Sequence, residues 1–359
     1  MHFLSGVLLF LGISIPSILS ELCDNLTGEC KELSATGCPE VFSNLAWIGQ
    51  SVKFCDEDRG IVCCPLPLNR QPLFVSTNER QFESECRRFN EIRTSCRSTP
   101  LIVGGTKASS REFPFMALLG QRKSNASRID WVCGGTLIHP KFVLTAAHCL
   151  ETTETKGERL DPSFDCPKFV VRLGDLDYNS ESDDAQPQDF RLVNYVVHPG
   201  YDEDDDTGSR KNDIGLLELD RNAVLNEFVA PACLPPSRGN ENLLVTAAGW
   251  GATAEGGPTS SHLNKVTLER FDETLCSQRI EHKIDTRTQL CAGSRSGNAD
   301  TCYGDSGGPV FVQHPRFACL KQVIGITSYG IVCGVQQLPS VYTRVHLYTD
   351  WIENIVWGV

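Results

Sequence analysis

Six cysteines, Cys23, Cys30, Cys38, Cys55, Cys63 and Cys64, crowd into a short stretch with few long apolar runs. A segment that small has too little core to fold alone, so bridges contributing about 2–5 kcal/mol each must carry its stability. The whole chain holds 17 cysteines in 359 residues, which reads as a disulfide framework formed in an oxidising compartment. The odd count leaves at least one thiol unpaired or intermolecular. Zinc is the competing use, but adjacent Cys63 and Cys64 lack ligand spacing, and no His-Glu-x-x-His segment accompanies them.

Export agrees with the amino terminus. Residues 3–19 form an apolar run broken by Pro16, ending at Ser20-Glu21 with a small residue at the cleavage position. The run is shorter than the roughly 20 apolar residues a membrane span needs, so residues 1–20 are expected to be a removed signal peptide and the protein to be secreted. Asn25-Leu-Thr27 and Asn125-Ala-Ser127 are glycosylation acceptors. A net charge of −12 argues against nucleic-acid binding.

Three parts follow the signal. Residues 21–65 are the cysteine-stapled module. Residues 66–101 are Pro-rich and then polar, without a sustained hydrophobic period, and read as a linker carrying Cys86 and Cys96. From Ile102 to Val359, short β-type runs such as FVLTAA, KFVVRLGD, LLVTAAGWG and KQVIGITSYG alternate with turn residues, which predicts an all-β sandwich or barrel pair. The C-terminal HLYTDWIENIVW alone has helical spacing, with Leu347, Trp351, Ile355 and Val356 near one face.

Three strings carry chemistry: LTAAHC with His148, NDIGLLEL with Asp213, and CYGDSGGPV with Ser306. A serine hydroxyl is a poor nucleophile until a neutral imidazole accepts its proton, and the imidazole needs a carboxylate to fix its tautomer. Each string alone reads equally as a core histidine, a loop-end cap and a serine in a glycine turn. Their order His, Asp, Ser, behind an Ile-Val-Gly-Gly start, removes that ambiguity.

With these strings, residues 102–359 resemble a trypsin-like serine protease domain of the chymotrypsin fold. The resemblance implies two six-stranded β-barrels with a C-terminal helix. It makes His148 the general base and acid, Asp213 its orienter and Ser306 the nucleophile, with the Gly304 and Ser306 N–H groups as the oxyanion hole. It makes the chain a zymogen: cleavage between Leu101 and Ile102 exposes an ammonium that pairs with Asp305. Cleavage after leucine implies an activating protease with apolar preference. Asp300 matches the pocket base that selects Arg or Lys, with Ser328, Tyr329 and Gly330 at the substrate-strand edge. Ser340 and Val332 depart from the usual glycines there.

The same resemblance pairs Cys133 with Cys149, Cys276 with Cys291, and Cys302 with Cys333. It tethers Cys233 to Cys86 or Cys96 and gives Cys166 and Cys319 no partner. The loop after Gly174 coincides with one that binds calcium in several relatives, making Asp175 and Glu181 candidate ligands; an exposed acidic loop is the alternative, and no cofactor is otherwise required. The run YDEDDDTGSRKND ahead of Asp213 reads either as an attractor of basic substrates or as a solvated charge run.

The six-cysteine module resembles the clip domain of arthropod serine proteases, whose usual pairing is Cys23–Cys63, Cys30–Cys55 and Cys38–Cys64. A clip plus a trypsin-like domain with cleavage after leucine is most similar to the snake and persephone group. That implies an extracellular cascade of innate immunity, melanisation or Toll-ligand processing, an upstream activating protease, a downstream zymogen and a serpin inhibitor. A non-catalytic clip scaffold and a digestive protease are the other readings. The presence of Ser306 argues against the scaffold, and a tethered module against digestion.

Overall fold

A computed structural model describes residues 28–32, 54–56, 61–65, 79–92, 96, 105–122, 129–150, 169–204, 209–238, 243–252, 256–280, 284–294, 301, 303–330 and 338–359. The signal segment, Cys23, Cys38, Asn25, Leu101, Ile102, Asn125, Cys166, Asp300, Cys302, Val332 and Cys333 lie outside the described residues. The chain divides into units at 1–77 and 78–359.

In the first unit, β1 (Gly28–Glu32), β2 (Phe54–Asp56) and β3 (Ile61–Pro65) form an antiparallel sheet in the order β1-β3-β2. The register sets Cys30 opposite Cys63 and Glu29 opposite Cys64.

The second unit opens with helix α1 (Gln81–Ile92), where the sequence reading expected a linker. Its apolar stripe is only Phe82, Cys86 and Phe89, at i, i+4 and i+7 among polar residues, too sparse to stand out. All three are buried. The Phe82 N–H donates to Glu353 Oε1 (3.1 Å), and Arg80 binds the same carboxylate and Asp350.

The first barrel is a closed ring in the order β12-β7-β6-β5-β8-β9, made of β5 (Met116–Arg122), β6 (Ile129–His139), β7 (Phe142–Thr145), β8 (Phe169–Leu173), β9 (Gln188–Val197) and β12 (Gly215–Leu219). Alternation shows in the first half of β9, where Phe190 and Leu192 are buried and Arg191 and Val193 face solvent; the register shift at Val193 then brings Tyr195 inside. Leu119, Leu137, Leu144, Phe169, Leu173 and Leu216 fill the interior. Between β9 and β12, the short strands β10 (Asp202–Asp204) and β11 (Ser209–Lys211) form a separate hairpin.

The second barrel contains β13 (Leu244–Gly249), β14 (Asn264–Phe271), β15 (Gln289–Gly293), β16 (Pro309–Gln313), β17 (Lys321–Tyr329) and β18 (Ser340–Arg344). Its order β13-β16-β17-β18-β15-β14 closes because β13 also pairs with β14, while β4 (Thr106–Lys107) adds to β14 from outside. The expected pair of six-stranded barrels is therefore present. Phe113, Phe115 and Phe311 pack together with centroids 5.0–6.0 Å apart, Phe311 coming from β16 and the other two from the segment leading into β5. Helix α2 (Glu273–Ile280) lies on the second half, where Cys276 bonds to Cys291.

The C-terminal helix α3 (Thr349–Trp357) is preceded by a 3-10 turn (Val345–Tyr348) and ends at Gly358 with φ 71°. Leu347 is exposed, and the buried face runs instead through Val345, Tyr348 and Ile352. The tighter turn rotates Leu347 out of the stripe that a continuous α-helix would give it.

Two disulfides join the segment ahead of residue 102 to the barrels: Cys86–Cys233 and Cys96–Cys319. Either one alone is a covalent tether. After the chain is cut between residues 101 and 102, a Cys86→Ser/Cys233→Ser variant should still run as one species on a non-reducing gel. Separation into two fragments should require removal of both bridges.

His314 sits beside the first tether. Its Nδ1 accepts N–H bonds from Arg316 (3.1 Å) and Phe317 (3.0 Å), and its ring stacks on Phe317. Burial, aided by Arg316, pushes its pKa down to about 4. Below its unfolded value of 6.5, the unfolded chain binds a proton that the folded chain refuses, so stability falls as pH drops from 6.5 toward 4. The loss from this residue should reach about 2–3 kcal/mol. Urea unfolding of His314→Asn, which keeps an acceptor but does not titrate, should show that much less acid sensitivity.

Candidate active site

His148 lies on the single 3-10 turn Ala147–Leu150 that follows β7, and Cys133–Cys149 clamps that turn to β6. Asp213 sits between β11 and β12 with its side chain fully buried. The preceding Asn212 has φ 49° and accepts from Tyr348 Oη (2.8 Å), which fixes the backbone entering Asp213.

Three donors meet the Asp213 carboxylate. His148 Nδ1 lies 2.7 Å from Oδ2, the His148 N–H donates to Oδ1 (3.0 Å), and the Ser328 hydroxyl donates to Oδ2 (2.5 Å). The Thr343 hydroxyl donates to the Asp213 carbonyl (2.8 Å). Burial opposes ionisation, but His148, then Ser328, outweigh it and hold the carboxyl below the ordinary aspartate range. An ionised acceptor at Nδ1 places the imidazole proton there and leaves Nε2 as a lone-pair acceptor.

Ser306 occupies the turn Gly304-Asp305-Ser306-Gly307-Gly308 that leads into β16. Its carbonyl accepts from the Gly134 N–H on β6 (2.7 Å), so the turn is hydrogen-bonded to the first barrel. A Cβ on Gly307 would stand 2.2 Å from Thr145 Oγ1, 2.6 Å from the Gly134 carbonyl and 3.0 Å from Cys149 Sγ. Only glycine brings this turn so close to the histidine loop. Among the described residues, no hydrogen bond joins the Ser306 hydroxyl to His148 Nε2; such contacts often tighten only with substrate bound. Gly304 has φ 93°, again a glycine conformation.

Asp305 Oδ1 accepts from the Gly251 N–H (2.9 Å). Ser328 and Ser340 are buried, Gly330 is exposed, and a Cβ on Gly330 would lie 2.9 Å from Ser340 Oγ. Ser340 therefore stands directly against the Ser328–Gly330 edge.

The calcium expectation meets a different donor set. Asp175 is buried and ion-paired with Arg172 (3.2 Å), which also binds Asp189 (2.6 Å). Burial pushes the Asp175 carboxyl up in spite of that arginine. Glu181 is exposed. A guanidinium already holds the one buried carboxylate, so these residues do not fit a calcium ion. Two clusters of histidine with cysteines, at His148 and His314, consist of cysteines already committed to disulfides and offer no thiolate for a metal.

Ser328 and Thr343 bond Asp213 from 115 and 130 residues away in sequence, and Tyr348 bonds the preceding Asn212 from 136 residues away. Sequence reading assigned Ser328 to the pocket edge only and gave the other two no role, since no local pattern marks them.

Two barrels, with a buried carboxylate orienting an imidazole beside a glycine-bounded serine, define a trypsin-like serine endopeptidase. A family model described as Trypsin matches residues 102–352. The chain is 35% identical over 353 residues to Serine protease snk of Drosophila melanogaster, covering 92% of this chain and 77% of that one. It is 37% identical over 266 residues to CLIP domain-containing serine protease B10 of Anopheles gambiae, covering 70% and 69%. It is 32% identical over 312 residues to Phenoloxidase-activating enzyme 1 of Spodoptera litura, covering 82% and 80%. The chain belongs to the trypsin family of serine proteases, among the clip-domain members found in arthropods.

Proposed function

We propose that the protein is a secreted zymogen that, once cut between Leu101 and Ile102, cleaves a downstream zymogen or precursor after Arg or Lys in an extracellular cascade. His148 Nε2 takes the Ser306 proton as Oγ attacks the scissile carbonyl. The Gly304 and Ser306 N–H groups receive the oxyanion. His148 then delivers the proton to the leaving amine, and water resolves the acyl-enzyme by the same steps. The observation that carries this reading is the His148 Nδ1 to Asp213 Oδ2 contact of 2.7 Å on a fully buried carboxylate.

Asp300 supports the cationic preference through its match to the family pattern. The cascade role is supported by the kind of relatives, one of which is named for activating phenoloxidase. An upstream protease of apolar preference, a zymogen substrate and a serpin inhibitor are the partners this role requires. Among the described residues, no helix is long and apolar enough to cross a membrane.

The test replaces Thr99-Pro100-Leu101 with a sequence cut by a purified specific protease, activates the secreted protein and compares Arg-, Lys- and Phe-ended peptide reporters. Turnover of Arg or Lys reporters after activation, and not before, is the expected result. Preference for Phe would overturn the role of Asp300, and no turnover of any reporter would favour the scaffold reading.

A further inference from the structure

Two disulfides hold the segment ahead of residue 102 to the barrels. A tether needs nothing more, yet helix α1 makes a second, polar attachment. Arg80 opens that helix: its carbonyl accepts from the Glu83 and Ser84 N–H groups (3.1 Å each), so α1 itself aims the side chain. The guanidinium reaches three residues at the start of α3. Nη1 donates to Thr349 Oγ1 (3.1 Å), Nε to Glu353 Oε2 (3.0 Å) and Nη2 to Asp350 Oδ1 (2.5 Å). A cation beside a helix N-terminus is opposed by the helix dipole, so the two acids are what hold it there. Glu353 is buried, and a buried carboxylate needs partners. Arg80 and the Phe82 N–H supply them.

Thr349 directly follows Tyr348, which is buried in the same apolar core as Phe82, Val345 and Ile352. Tyr348 Oη donates to Asn212 Oδ1 (2.8 Å), and Asn212 Nδ2 donates to the Gly200 carbonyl (2.6 Å). Burial, then Asp285 and Asp213, push the Tyr348 phenol up, so it stays a donor at any pH where the protein works. Asn212 holds a positive φ that asparagine tolerates without preferring, and the Tyr348 bond is one of two that keep its side chain in place. His198 lies edge-on to the Tyr348 ring (5.1 Å). Its N–H donates to the Ile214 carbonyl (3.1 Å), and the Ile214 N–H donates to the Asn212 carbonyl (2.8 Å). The residues on both sides of Asp213 are thus linked to Tyr348, beside the turn that Arg80 grips.

We propose that Arg80 is a positioning residue for the reaction: by fixing the turn that carries Tyr348, helix α1 sets the place of the Asp213 carboxylate. The segment ahead of the activating cut is then a working part of the protease and more than a leash. The proposal rests on the reading that Asp213 orients His148 as the base. Arg80 touches neither substrate nor reacting atoms, so its effect falls on kcat and spares KM. Reacting geometry tolerates little error, a displacement of about 1 Å costing as much as 100-fold. The Asp213 carboxylate, 2.7 Å from His148 Nδ1, has little room to give. Arg80 acts at one remove, through a packed turn, and a part of that range is its share.

The experiment uses the activated full chain and Arg-ended reporters. Rates are divided by the number of sites that a covalent serine-directed phosphonate titrates, so that misfolded protein is not counted. Arg80→Ala and Tyr348→Phe should each lower kcat about tenfold and leave KM within about twofold. The double variant should lose little more than either one, since both break the same path. Arg88→Ala, which removes a pair with Glu85 inside α1, should match the native protein. An unchanged kcat in Arg80→Ala, a loss confined to KM, or losses that multiply in the double variant overturns the proposal. An equal loss in Arg88→Ala also overturns it, because any loosening of α1 would then suffice. If the native protein cuts Phe-ended reporters and not Arg-ended ones, the pocket reading fails separately and the same comparison is made on Phe-ended reporters. If it cuts none, the reading of Asp213 and His148 has failed already in the native chain, and the proposal falls with it.

Discussion

Ser306→Ala in the activated protein should lower kcat by about 10⁶-fold, and adding His148→Ala should cost little more. In the proposed mechanism the two groups act as one unit: without a nucleophile the base has no proton to take, and without the base the hydroxyl stays un-ionised. Asp213→Asn should cost about 10⁴-fold for a different reason. The Asp213 carboxylate accepts from three donors, the His148 ring, the His148 N–H and the Ser328 hydroxyl. An amide in its place keeps one acceptor oxygen and brings an NH₂ group. If that group donates to Nδ1, the imidazole proton moves to Nε2, which can then no longer accept from Ser306. The smaller loss at Asp213 is the signature of tautomer control as opposed to loss of a reacting atom. Steady-state kinetics on an activated, correctly folded set of variants reads all three. Retention of activity within tenfold in Ser306→Ala would remove Ser306 from the reaction.

The strings around His148, Asp213 and Ser306 can be read from sequence because each fits in a few contiguous residues whose shape is set locally, by a disulfide turn, a strand entry and a glycine turn. The barrels can be read for a similar reason: β17 announces itself by its apolar, β-branched composition, and the first half of β9 by its alternation. What surrounds Asp213 could not be read this way. Ser328 and Thr343 reach it from β17 and β18, and a lone hydroxyl in a strand gives no sign of which buried group it will meet. Helix α1 stayed hidden because three apolar residues suffice when a disulfide and Glu353 hold it in place. The partner of Cys319 was beyond sequence arithmetic, since spacing does not fix connectivity. The calcium reading had a warning in plain view: Arg172 stands three residues ahead of Asp175, within reach of its carboxylate.

Gly251→Ala should lower kcat by about 10³-fold with little change in the His148 to Asp213 pairing. A Cβ at residue 251 would stand 2.4 Å from Asp305 Cγ and 2.5 Å from its Oδ2, and one at Gly249 would stand 2.0 Å from Oδ1. Real carbon atoms do not approach a carboxylate that closely, so the aspartate must swing away. Asp305 lies between Gly304 and Ser306, the two residues whose N–H groups are assigned to the oxyanion. Moving its side chain therefore rotates the peptide units on either side. The Gly308 N–H donates to the Asp305 carbonyl (2.9 Å), which ties the same displacement to the rest of the turn. Since donors of this kind count only when aimed at the oxyanion position, misaiming both should cost more than deleting one. Asp305→Asn tests the charge without the clash: it leaves the space unchanged but removes the partner proposed for the Ile102 ammonium. Its activity after cleavage should fall toward that of the uncut chain. The two variants separate shape from charge. If Gly251→Ala is impaired and Asp305→Asn is not, the glycine cradle positions the turn and the ammonium has no part in it. If both are impaired and only Asp305→Asn has lost the gain in activity on cleavage, the new N-terminus acts through Asp305.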